Sequence, residues 1–197
     1  MSTSETTTNP TLALELVLAR NDLTSFVQQQ ARDTGARVGF TYEGCPDAPS
    51  TYQQLRGAYA ESQANGTPLP IYNQFCDTSI FFQDEDNICF RFWHDVSHMQ
   101  LGLSFQLDDE LELGIWHLEQ LERAGFPKYS LPWQVFRADI VGQIQLMALI
   151  GRFPIHQRRF VEECVEYGTE IGLIEEIRRV PEPDAPCPSR SDILVTS

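Results

Sequence analysis

Apolar residues recur at spacings of three and four along most of this chain, and glycine and proline interrupt the repeats. From residue 86 onward the periodicity is nearly continuous. It predicts helices over 86–101, 108–124, 131–150, 155–167 and 169–179, separated by Gly102, by Gly125-Phe126-Pro127, by the stretch from Gly151 to Pro154 and by Gly168. Upstream, 12–20 and 22–33 read as two helices, the second capped by Asp22 and stopped by Gly35, and 50–63 reads as another, followed by a loop over 65–70. Residues 37–42 alternate enough to predict a short strand, with 79–82 as its partner. The fold class expected is mainly α: a single-domain, helical bundle-like core over 11–180 with at most a small β-hairpin. A Thr- and Ser-rich segment, 1–10, reads as a flexible N-terminal tail, and 181–197, which opens on a Pro-rich run, as a flexible C-terminal one. No internal repeat is visible.

With 197 residues, 42% of them hydrophobic, the chain suffices for one core-forming domain. No apolar run approaches a membrane span, and the first residues lack a secretory pattern, so a cytoplasmic protein is expected. Five cysteines without a Cys-x-x-Cys pair suit neither a disulfide framework nor a thiolate zinc site. Twenty-eight acidic residues against fourteen basic ones give a formal charge of −14, which argues against direct nucleic-acid binding. Such an acidic surface serves solubility, and it can also occupy a basic groove on another protein. Arg152, Arg158, Arg159, Arg178 and Arg179 read as solvated helix surface.

Chemistry is concentrated in one segment. His94 and His98 stand four apart, Asp95 stands three before His98, and Glu110 follows His98 after eleven intervening residues. On a helix, positions i and i+4 share a face roughly 6 Å apart, so the two imidazoles can close on one cation. Asp95 can be a further ligand or can accept an imidazole N–H. Gly102 is placed to end the first helix, and Asp108 and Asp109 to begin a second by capping and by interaction with its dipole. An antiparallel turn there brings Glu110 back beside His98. Taken alone, each feature has an ordinary alternative: a structural His pair, or a solvated carboxylate at a helix start.

The pattern HDxxH, eleven residues, then Glu resembles the zinc-ligand signature of the coenzyme Q biosynthesis family that acts on the carboxylated ring position of the quinone precursor, and Gly102 extends the match. The resemblance implies zinc at His94, Asp95, His98 and Glu110 and an all-α fold. The run Phe90-Arg91-Phe92-Trp93-His94-Asp95 is also similar to part of uncharacterised bacterial and phage proteins. Without the resemblance, a site of nitrogen and oxygen donors suits Fe or Mn as well as Zn.

Secondary candidates surround this segment. His117, two turns after Glu110, reads as an extra ligand, a proton shuttle or a buried structural histidine. Asp139 and Gln143, four apart on an apolar helix, read either as a polar edge or as groups facing the metal helices, with Asp139 as a ligand or orienting acceptor. His156 reads as a helix-start residue. Phe90, Phe92, Trp93, Phe105 and Trp116 read as core, or as the lining of an apolar pocket for a planar ligand. Asp95 in place of Glu argues against a zincin, and an HD-type metal hydrolase lacks its earlier His because none precedes His94. Phosphate-loop, dinucleotide and Gly-x-Ser-x-Gly patterns are absent. The function expected is therefore a metal-binding α-helical protein. It is either a metal-dependent decarboxylase, hydroxylase or hydrolase for a small apolar or aromatic carboxylate or quinone-like substrate, or an acidic interaction protein whose metal staples a helix hairpin against a basic partner.

Overall fold

Helix α1 runs without interruption over Pro10–Val38 in the computed structural model, which describes residues 10–180. The two helices expected at 12–20 and 22–33 are thus one. The polar Arg20-Asn21-Asp22 triplet does not break it, because Arg20 turns inward: its Nε donates to the Ile80 carbonyl at 2.5 Å, and its guanidinium lies 4.5 Å from the centre of the Phe82 ring. Tertiary hydrogen bonding overrides the local breaker signal. The helix stops at Gly39, not Gly35, where φ is +83° and the N–H donates back to the Gly35 carbonyl.

The β element also departs from expectation. Strand β1 covers Tyr42–Cys45 and pairs with β2, Leu69–Tyr72, in parallel, Tyr42 opposite Leu69. A parallel pair needs a crossover, supplied by α2, Tyr52–Asn65, which a Thr51–Gln54 capping box begins. The segment 79–82 is not a strand but a series of bends that buries Ile80 and Phe81 ahead of α3. The expected hairpin is therefore a small βαβ unit, its second strand signalled only by Leu69 and Ile71 alternating with Pro70 and Tyr72.

The rest follows the periodicity. The remaining helices are α3 (Asp84–Leu101), α4 (Leu107–Arg123), α5 (Leu131–Arg137), α6 (Gln143–Ile150), α7 (Gln157–Tyr167) and α8 (Thr169–Arg178), with a π-helical turn, Ala138–Gly142, joining α5 to α6. His156 caps α7, accepting from the Arg159 N–H. The domain is mainly α, and among the described residues no helix is long and apolar enough to cross a membrane.

Helix α3 is central. Trp93 faces a large core shared with α1, α4, α5 and α7, while Phe92, next in sequence, faces a smaller one built with Phe40, Leu55, Leu69 and Ile71. Both aromatic rings are fully buried. With two faces committed to hydrophobic packing, a third remains for polar work, and it carries Arg91, His94 and Asp95. The arginines read as surface partly do otherwise: Arg152 and Arg179 both bond the fully buried Glu176 and hold α8 in place. Cys45, Cys76, Cys89 and Cys164 are free thiols. The readings of 1–10 and 181–197 as tails concern segments that, but for Pro10, lie outside the described residues.

Candidate metal centre

The α3–α4 turn forms as its residues dictate. Gly102 adopts φ +72° and donates its N–H to the His98 carbonyl, ending α3. Asp109 then accepts from the backbone N–H and the hydroxyl of Ser104, tying the turn to the start of α4. The capping role expected of Asp108 and Asp109 falls to Asp109, the third residue of the helix. Glu110 therefore returns beside α3.

There the His98 Nε2 and His94 Nε2 are 3.0 Å apart, and each lies 3.5 Å from a different oxygen of Glu110. These three residues form a cluster that could hold a metal ion. A tetrahedral ion with bonds of about 2.0–2.1 Å spaces its ligand atoms about 3.3 Å apart, a length the observed edges of the triangle bracket. The outer nitrogens support the same reading. His98 Nδ1 lies 3.0 Å from the Leu103 carbonyl, which can only accept, so this nitrogen carries the proton and Nε2 presents its lone pair. His94 Nδ1 lies 3.1 Å from His117 Nε2 and shares one proton with it. A cation on His94 Nε2 requires that proton on Nδ1, donated to His117.

Electrostatics match the geometry. Burial alone would raise the Glu110 carboxyl, but hydrogen bonds from His94 and His98, when these imidazoles are protonated, hold it down at about 2. Burial opposes charge on His94, and Glu110 and Asp95 outweigh it, so its pKa is raised. His117 is wholly buried and pushed well below the ordinary histidine value, first by burial and then by His94 and His98. It sits 4.1 Å, centroid to centroid, from the Trp93 ring. It is a neutral support for His94, not a member of the cluster.

Asp95 also stands outside the cluster, on the wall of an adjoining cavity of about 970 Å³, where burial raises its carboxyl. His94, Glu110 and His117 line the same cavity, whereas His98 lies behind them as the enclosed anchor. Phe90 and Phe105 are on the cavity wall too, and Phe92 and Trp93 are core. Across the cavity Asp139 and Gln143 face inward, as one reading of their spacing allowed, but Asp139 is not among the clustered ligands.

Two residues of the cavity wall had a weaker sequence signal. Arg91 donates through Nη1 to the Tyr72 and Gln74 carbonyls at 2.6 and 2.8 Å and lines the cavity. Its position three before His94 in an aromatic run is the only hint. Gln157 bonds Asp139 from eighteen residues away, and no local pattern announces it. No family model, curated protein or solved structure matches this chain.

Proposed function

We propose that this protein is a metal-dependent enzyme, with zinc favoured over Fe or Mn at His94, His98 and Glu110, acting on a small, largely apolar molecule that bears a carboxylate or carbonyl group. The observation that carries the reading is the placement of the cluster at the edge of the cavity. Two of its three ligand residues line that cavity, so a fourth coordination position faces a space able to hold a substrate. When bound there, a divalent ion polarises a carbonyl or carboxylate oxygen or lowers the pKa of a water.

The chain's own groups have distinct tasks in this reading. Arg91 attracts the anionic end of a substrate, its guanidinium fixed by two backbone carbonyls. Asp95, next to His94 and raised by burial, takes or returns a proton at its carboxylate. His117 fixes the His94 ring, and Phe90 and Phe105 exclude water from the apolar part of the cavity.

The same triad also bridges α3 to α4, which supports a second reading: a structural staple in an acidic binding protein. An HD-type hydrolase has less support, since its later carboxylate, Asp139, lies away from the cluster. Purified protein stripped by chelation and reloaded with Zn, Fe(II) or Mn separates the first two. One ion per chain, together with consumption of an aromatic carboxylate or quinone-like compound that Arg91→Ala and Asp95→Asn abolish, supports the enzyme. One ion per chain, loss of stability without it and no turnover across those compounds supports the staple. Absence of any tight site refutes both.

A further inference from the structure

The cavity wall opposite the metal cluster carries a polar group with no task in the metal reading. Asp139 is 1% exposed and sits in the π-helical turn. Its Oδ1 accepts two amide hydrogen bonds, from Gln157 Nε2 at 2.6 Å and Gln143 Nε2 at 3.1 Å, while Oδ2 has no partner in the protein. Two glutamines, one from α6 and one from α7, thus orient a single carboxyl at the wall of the cavity that all three residues line, and leave its second oxygen buried and unpaired. Buried side-chain oxygens without partners are rare, and π-helical turns recur at functional sites.

Packing holds this group rigidly. An added Cβ on Gly142 would meet the Phe160 ring at 3.2 Å, so the turn is pressed against α7 from behind. On its other side Gly114 of α4 admits Val141 and Ile144, which an added Cβ would meet at 3.5 and 3.4 Å. The wall is thereby fixed relative to the helix that bears Glu110 and His117. Pre-organisation of this kind is what a binding group needs.

We infer that Asp139 is a ligand-binding carboxyl, whose Oδ2 donates a hydrogen bond to the carbonyl oxygen of a small apolar molecule bound in the cavity. Both glutamine amides donate to Oδ1, so the proton of the acid resides on Oδ2. Burial raises this carboxyl to about 7, against the hydrogen bonds of Gln157 and Gln143 and the charge of Arg91, so the donor form is populated at and below neutrality. The other titratable groups on the cavity wall are Arg91, His94 and Asp95 of α3, Glu110 and His117 of α4 and Tyr72 of β2, with Asp47 near β1. The inference deepens the substrate class proposed above and shares its cavity, but it needs no metal.

Acetophenone is the probe, because it carries a carbonyl on an apolar body and does not itself titrate; ethylbenzene lacks the oxygen. Binding to full-length, chelator-treated protein is measured by NMR titration for wild type, Asp139→Asn and Asp139→Leu, each checked for native melting. Asn keeps the Oδ1 acceptor and offers a permanent N–H donor at the Oδ2 position. Wild type is expected to bind acetophenone about tenfold more tightly at about pH 6 than at about pH 8.5. Asp139→Asn is expected to bind it equally at both, Asp139→Leu to lose about tenfold at the lower pH, and ethylbenzene to be indifferent to all three changes. Unchanged affinity in Asp139→Leu, a pH dependence that survives in Asp139→Asn, or no binding of acetophenone to wild type overturns the inference. Zinc titration of the same variants keeps the two readings apart. Wild type that binds no zinc defeats only the metal proposal, whereas loss of zinc in Asp139→Asn makes Asp139 part of the metal centre and defeats this one.

Discussion

His98→Ala removes a fully buried imidazole whose two nitrogens are both committed, one to the Leu103 carbonyl and one to the cluster. Zinc affinity by calorimetry should fall by more than about a hundredfold, since two donors cannot hold the ion as three do. Glu110→Gln keeps the shape but not the charge and should weaken binding less. Unaffected affinity in either variant would show that the ion sits elsewhere. Asp139 yields a prediction of a different kind, on stability. Its carboxyl titrates near 7 in the folded chain against 3.8 for an ordinary aspartate, so between those values the folded state holds the extra proton. Stability contributed by the protonated form is therefore full below about pH 4 and declines as pH rises towards 7. Asp139→Asn removes that decline. Denaturant unfolding should show the variant gaining on wild type through this window, by roughly 4 kcal/mol at most, and holding steady above it. A constant difference across the window would mean that Asp139 is ionised in the folded protein.

At the scale of elements, the junction of α7 and α8 holds the closest glycine approach among the described residues. A Cβ on Gly172 would lie 3.0 Å from the backbone N and Cα of Cys164, and neither can move aside without shifting a helix. Gly172→Ala should lower stability by about 1 kcal/mol or more despite the better helix propensity of alanine, a loss that thermal melting would detect. Glu176→Ala takes the carboxylate from Arg152, which keeps only backbone carbonyls, while Arg179 keeps Glu163, and should cost about 1–3 kcal/mol. What the sequence disclosed and what it hid divide along these lines. Helices α3, α4, α7 and α8 were legible because apolar period and glycine stops agreed, and so was the His94, His98 and Glu110 set, because its geometry needs only one helix and one turn. The unbroken α1 was not legible, since Arg20 is satisfied by carbonyls sixty residues away. Neither was the parallel pairing of β1 with β2, which depends on a crossover, nor the Gln157 bond to Asp139, which depends on the fold.

For the molecule as a whole, α3 divides two cores and turns its third face to the cavity, so the centre inherits the rigidity of both. An ion bound only by the native state adds stability by mass action, about 4 kcal/mol at a thousandfold excess over its Kd. Addition of zinc should raise the melting temperature of wild type and leave that of His98→Ala where it was. The two walls of the cavity differ in how far along the chain their parts lie. The three clustered residues are brought together by a single turn, whereas Asp139 and its two glutamines face them only once α6 and α7 have docked. Loop-closure entropy favours contacts between neighbours in the chain. In the history of a single folding event, the three donor side chains then meet before the pocket is complete, so the uptake of an ion proposed above would precede the ability to hold a substrate.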